Sequence, residues 1–118
     1  MEDFTDVKLE IFVQEDYAFK IRDELAKIGV GRLGDYDHCV AIYQVQGYFR
    51  PLPGANPFKG EIGKIQETVK AKIEVNCRRE LVSEAIRIIK RVHSYEEPLV
   101  SVIPLANHLF DVKSIPGL

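Results

Sequence analysis

Two hydrophobic periods alternate along this chain. After Asp6, the apolar residues Val7, Leu9, Ile11 and Val13 are interleaved with Lys8, Glu10, Phe12 and Gln14, the period of two expected of a half-buried strand. From Glu15 the period lengthens, with Ala18, Ile21, Leu25 and Ile28 at helical spacing, acidic Glu15 and Asp16 at the start and Gly29 past the end, which predicts a helix. "HCVAIYQVQGYFRP" is rich in β-branched and aromatic residues and stops at Pro51, predicting a second strand with a bend or bulge at Gly47. Pro51 to Gly63 holds three prolines and three glycines in thirteen residues and reads as a loop. "KIQETVKAKIEVN" alternates again, placing Ile65, Glu67, Val69, Ala71, Ile73 and Val75 on one face of a third strand, with Asn76 as the N-cap of a second helix. Between Cys77 and His93, the residues Leu81, Val82, Ala85, Ile86, Ile89 and Val92 form a helical stripe. Arg78, Arg79, Glu84, Arg87, Lys90 and Arg91 fill the opposite, solvated side. "PLVSVIPL" predicts a fourth strand, and "HLFDVKSI" a short edge strand or loose tail within residues 107–118.

The resulting order, β-α-β-β-α-β, is the split βαβ arrangement: an α+β, ferredoxin-like sandwich in which an antiparallel sheet carries two helices on one face. At 118 residues the chain is expected to be one domain with one core. The second sheet face needs a cover, because Tyr43, Val45, Phe49, Ile65, Val69 and Ile73 make the middle strands apolar. Burial between subunits would supply it.

Composition narrows the possibilities. The chain is 46% hydrophobic and 29% charged with a formal net charge of -2, so no basic surplus points to nucleic acid. No stretch reaches the length of a membrane span, and "MEDFTDVKLE" lacks the basic start of a signal peptide. Cys39 and Cys77 lie far apart without metal-ligand spacing, which predicts two free thiols in a cytoplasmic protein.

Three segments carry candidate chemistry. In "GRLGDYDHC", the side chains of Asp35, Asp37, His38 and Cys39 are candidate ligands, although an extended backbone would point His38 away from its two neighbours. The structural alternative has the glycines shaping a loop, Tyr36 and His38 bonding to backbone, and Cys39 acting as a small buried hydrophobe. In "HSYEEP", His93 closes the helix, Tyr95 packs its ring, and Pro98 steers the chain into the last strand, leaving Glu96 and Glu97 to face a ligand or a neighbouring chain. Joined across chains, His38, His93 and Glu96 would offer two imidazoles and a carboxylate, a set suited to zinc, copper or nickel. Nothing marks an enzyme: no G-x-S-x-G, no H-E-x-x-H and no Cys-His context typical of a nucleophile occurs. The Pro51–Gly63 loop lacks the G-x-x-x-x-G-K-[ST] pattern and joins two strands, so it is not a P-loop.

"KRVHSYEEPLVSVIPL" resembles the CutA divalent-cation-tolerance family, over the second helix and last strand. Nearly the whole chain is similar to the inserted domain of the NGG-one-interacting-factor-three family. Its pattern G-x-Y-D-H-C, F-R-P, G-A-x-P, G-x-x-G and Y-E-E-P occurs in order as Gly34–Cys39, Phe49–Pro51, Gly54–Pro57, Gly60–Gly63 and Tyr95–Pro98. The resemblance implies a CutA-like or PII-like domain that assembles as a trimer with clefts between subunits. In PII-like proteins the loop equivalent to Pro51–Gly63 takes part in nucleotide and partner binding, which makes Arg50, Lys59 and Lys64 candidate anion contacts. The family's dinuclear metal centre lies in a larger flanking domain, so its ligands have no counterpart here. Ser94 stands where the relatives carry proline. The expected function is a non-enzymatic, small-ligand or divalent-metal-associated binding module; the alternative is a structural oligomerisation module. The ligand-binding candidates are Tyr36, Asp37, Arg50, Lys59, Tyr95 and Glu97, and the metal-binding candidates His38, His93 and Glu96, with zinc or copper as the ion.

Overall fold

The structure is a computed structural model that describes residues 3–57, 59–94 and 97–112. Four strands, β1 (Asp6–Val13), β2 (Ala41–Phe49), β3 (Gln66–Arg78) and β4 (Leu99–Pro104), form one sheet in the order β2-β3-β1-β4. All three pairings are antiparallel. Helices α1 (Ala18–Ala26) and α2 (Val82–Val92) are each entered through a single 3₁₀ turn, Glu15–Tyr17 and Arg79–Leu81. This is the expected ferredoxin-like sandwich.

The alternation in β1 does what a period of two requires. Val7, Leu9, Ile11 and Val13 are fully buried, and across the β1–β3 register Ala71, Ile73, Val75 and Cys77 face the same way. Both helices close over this face through Ala18, Ile21 and Leu25 of α1 and Ala85, Ile88 and Ile89 of α2. A turn after α1 holds the helix in place. The amide of Val30 bonds to the carbonyl of Leu25 and that of Gly29 to Ala26, with Gly29 at φ 93°. This is the Schellman pattern, with Val30 packing back into the core beside Leu25.

Several expectations need correction. Asn76 caps no helix: β3 runs through it to Arg78, because Cys77 keeps the buried alternation going. In α2 the buried residues are Ala85, Ile88 and Ile89; Ile88 lies three residues from Ala85 on the same side of the helix, whereas Ile86 is only half-buried. Ile73 lies in the core at 0% exposure, and strand alternation puts Val69 on its side, out along the hairpin and 53% exposed. They do not belong to the open face, which does carry Tyr43, Val45 and Phe49 by the β2–β3 register. Residues 107–109 form a 3₁₀ turn rather than an edge strand. No bulge interrupts β2, since Gly47 pairs in register with Thr68.

Candidate functional site

The sheet face away from the helices is polar at its centre. Lys8 and Glu10 of β1 stand beside Lys72 and Glu74 of β3, and the four close a ring of ion pairs. Lys8 Nζ is 3.0 Å from Glu74 and 3.6 Å from Glu10; Lys72 Nζ is 3.3 Å from Glu74 and 3.6 Å from Glu10. The Tyr43 hydroxyl donates to Glu74. That bond and the two lysines hold the Glu74 carboxyl down to about 2, because each favours the charged form. Tyr43 and Glu74 likewise raise Lys72, whose ammonium lies over the Phe12 and Tyr43 rings at 5.4 and 5.6 Å. The ring is a structural lattice that separates two clefts at opposite ends of the face.

The cleft at the hairpin end is built from the ends of all four strands. Alternation places Gln14, after β1, and Glu97, before β4, on the open side beside Thr68 and Lys70 of β3 and Phe49 of β2. The loop beyond Phe49 arches over them with Arg50, Asn56 and Lys59. The cleft is about 390 Å³, within the range of small-ligand sites. Phe49, Pro51, Ala55 and Pro57 make one apolar wall, while Arg50, Lys59 and Lys70 supply cations. Its one carboxylate among the described residues, Glu97, sits 3.4 Å from the Lys90 ammonium. Among the described residues, neither Arg50 nor Lys59 forms an ion pair, so positive charge dominates the cleft and favours an anion. Three sequence-predicted residues therefore meet here: Arg50, Lys59 and Glu97. Tyr95 and Glu96 lie outside the described residues. Gln14, Thr68 and Lys70 were not anticipated; Gln14 was visible only as the last polar residue of the β1 alternation.

Tyr36, Asp37 and His38 belong to the opposite end. The Gly31 amide bonds to Asn76 and the Cys39 amide to Gly31, anchoring their loop some six residues along β3 from Lys70, or about 20 Å. Tyr36 is exposed. His38 adopts φ 58°, uncommon for a non-glycine residue; its Nδ1 is 2.8 Å from Asp37 and its Nε2 3.5 Å from Asp23. The His38 ring lowers the Asp37 carboxyl through this hydrogen bond. Asp23 is lowered first by its bond from Arg22, with a smaller contribution from His38. A second cleft of about 430 Å³ lies nearby, with Cys39, Arg32 and Lys8 in its wall.

His93 is placed elsewhere again. It is 1% exposed, its Nε2 accepts the Gln14 amide at 3.2 Å, and its ring meets Tyr17 edge-on with centroids 5.2 Å apart. The structure thus holds the two histidines at opposite ends of the sheet, and an ion at His93 would have to displace the Gln14 bond. Among the described residues no three His, Cys, Asp or Glu side chains form a cluster able to hold a metal ion, and no helix is long and apolar enough to cross a membrane.

No family model matches the chain. It is 31% identical over 98 residues to a Bacillus subtilis (strain 168) protein named GTP cyclohydrolase 1 type 2 homolog, over 83% of this chain and 26% of that protein. It spans about a quarter of the length of the curated relatives it matches. A Bacillus cereus protein related to NIF3 superposes with a TM-score of 0.77 at 27% identity, over 91% of this chain and 27% of that one. The periplasmic divalent cation tolerance protein CutA from Archaeoglobus fulgidus superposes with a TM-score of 0.62 at 22% identity, over 86% and 84% of the two chains, which shows a shared fold. The chain is thus a homologue of a segment making up about a quarter of the NIF3-related GTP cyclohydrolase 1 type 2 homologs, and it has the CutA-like, ferredoxin-like fold.

Proposed function

We propose that this domain is a non-catalytic binding module that takes a small anionic ligand, phosphorylated in the first instance, in the cleft at the hairpin end of the open sheet face. The single observation that carries the reading is the composition of that cleft: Arg50, Lys59 and Lys70 converge beside an apolar wall, and its carboxylate is already turned to Lys90. Guanidinium and ammonium groups bind phosphate oxygens through charge-assisted hydrogen bonds. The set has the makings of recognition rather than of acid–base chemistry, which needs two titrating groups in contrasting environments. The relatives' name makes GTP the first ligand to try. The two free thiols, Cys39 and Cys77, fit a reducing compartment, and we place the protein in the cytoplasm.

Thermal unfolding against a panel of nucleotides, pyrophosphate and divalent metal salts tests this. A ligand at 100 times its dissociation constant stabilises by about 2.7 kcal/mol, so a bound anion raises the midpoint by several degrees and Arg50→Ala removes the rise. A response to zinc or copper alone, abolished by His38→Ala, would instead favour a metal-associated module.

The exposed apolar rim of the same face supports a second reading. Tyr43, Leu99 and Ile103 are 43%, 61% and 38% exposed around the ion-pair ring, a surface that a homotrimer would cover. Light scattering during size-exclusion chromatography distinguishes a trimer from a monomer.

A further inference from the structure

We propose that His93 is a positioning residue for the hairpin-end cleft, fixing the separation between Gln14 on one side and Glu97 on the other. The inference rests on the ligand-binding reading of that cleft but has a readout of its own.

Gln14 leaves β1 one residue beyond the last pairing, Val13 with Ala71, and its peptide is held from both sides. Its carbonyl accepts the Tyr17 amide at 3.0 Å, opening the turn into α1. Its amide donates to Nε2 of His93 across 79 residues of sequence. His93 is itself fastened, because its own amide bonds to Ile89 at 2.9 Å and closes α2. Its ring is packed against Tyr17 with almost no exposure. Four residues later the chain reaches Glu97, which lines the same cleft as Gln14. One imidazole therefore ties the exit of β1, which carries Gln14, to the end of α2, four residues before Glu97 in the sequence.

The tie has a chemical requirement. Nε2 must present a lone pair, so the ring carries its proton on Nδ1. An apolar side chain of similar size would fill the space yet leave the half-buried Gln14 amide without its acceptor, at the cost of an unpaired donor. Glutamine, whose side-chain oxygen reaches about as far as Nε2, would restore the acceptor.

The test uses the full chain labelled with ¹⁵N, as wild type, His93→Phe and His93→Gln, with inorganic pyrophosphate as probe. In the wild type the His93 ring nitrogens are expected to show an unprotonated Nε2. In His93→Phe the amides of Gln14 and Glu97 both shift, and pyrophosphate affinity falls about tenfold, the scale of one lost net hydrogen bond. In His93→Gln both return toward wild type. A protonated Nε2 in the wild type would overturn the inference. So would a Glu97 amide unmoved in His93→Phe, or a His93→Gln protein that behaves like His93→Phe. If the wild type binds no pyrophosphate, the anion reading of the cleft fails, while the tautomer and the paired shifts of Gln14 and Glu97 still decide the role of His93.

Discussion

Replacing Ile73 by alanine asks directly whether β3 faces the way its register says. Ile73 is fully buried, opposite Ile11 of β1 and Ile42 of β2, in a core closed by Leu25 and Ile89. Removing three carbons forfeits about 2.4 kcal/mol of transfer free energy at roughly 0.8 kcal/mol per methylene. With the residual cavity added, the expected loss is about 2–5 kcal/mol. Val69, two side-chain periods away on the same strand face, is 53% exposed, so Val69→Ala should cost under about 1 kcal/mol. Urea unfolding, run at one protein concentration so that any self-association weighs equally, provides the comparison. At a slope of roughly 1.5 kcal/mol/M, a 3 kcal/mol loss lowers the midpoint by about 2 M for Ile73→Ala, whereas Val69→Ala stays within about 0.7 M of wild type. Equal midpoints for the two variants would refute the burial of Ile73 beneath the helices, and with it the packing that positions β3.

The ion-pair ring makes stability fall with acid in a defined window. The Glu74 carboxyl is held at about 2, below its ordinary 4.5, so its contribution is present above about 4.5 and is lost as pH falls toward 2. Glu74→Gln should flatten that segment of the pH–stability curve; an unchanged slope between pH 4.5 and 2 would show that the ring does not form. The two thiols should also separate by reactivity. Cys77 is fully buried, and burial pushes its thiol up to about 11, so in the folded protein iodoacetamide should label Cys39 and spare Cys77 until urea is added. Mass spectrometry of the labelled peptides reads the order, and equal labelling in the native state would contradict the burial of β3.

Much of the sandwich was legible because its strands alternate strictly and its helices do not. Val7, Leu9, Ile11 and Val13 could face only one way once a single layer of helices covered the sheet. Legibility failed where a residue's environment is set by partners distant in sequence. Asn76 has the chemistry of a cap, yet the alternation of Ala71, Ile73, Val75 and Cys77 carries the strand through it. The apolar set of β3 is continuous and so suggests a place on the open side, whereas the helices cover only the Ala71–Cys77 half and leave Val69 exposed. Within the site, Arg50 and Lys59 could be singled out by charge and loop position. Their meeting with Gln14, Thr68 and Lys70 depends on four strand ends coming together, which no local pattern encodes. For His93 the helix end was legible and the partner of its ring was not. An imidazole at a helix end suits a ligand or a dipole-complementing cation, but the acceptor role it takes is defined by an amide 79 residues away.

The central claim is that the hairpin-end cleft binds a small anion, and calorimetric titration of the intact chain with GTP and with pyrophosphate tests it most directly. Saturable binding of at least one of them is predicted at low ionic strength. It should weaken with added salt and fall about tenfold or more in both Arg50→Ala and Lys59→Ala, in line with lost charge-assisted bonds. Absence of saturable binding to either anion, or binding that both substitutions leave intact, would contradict the account.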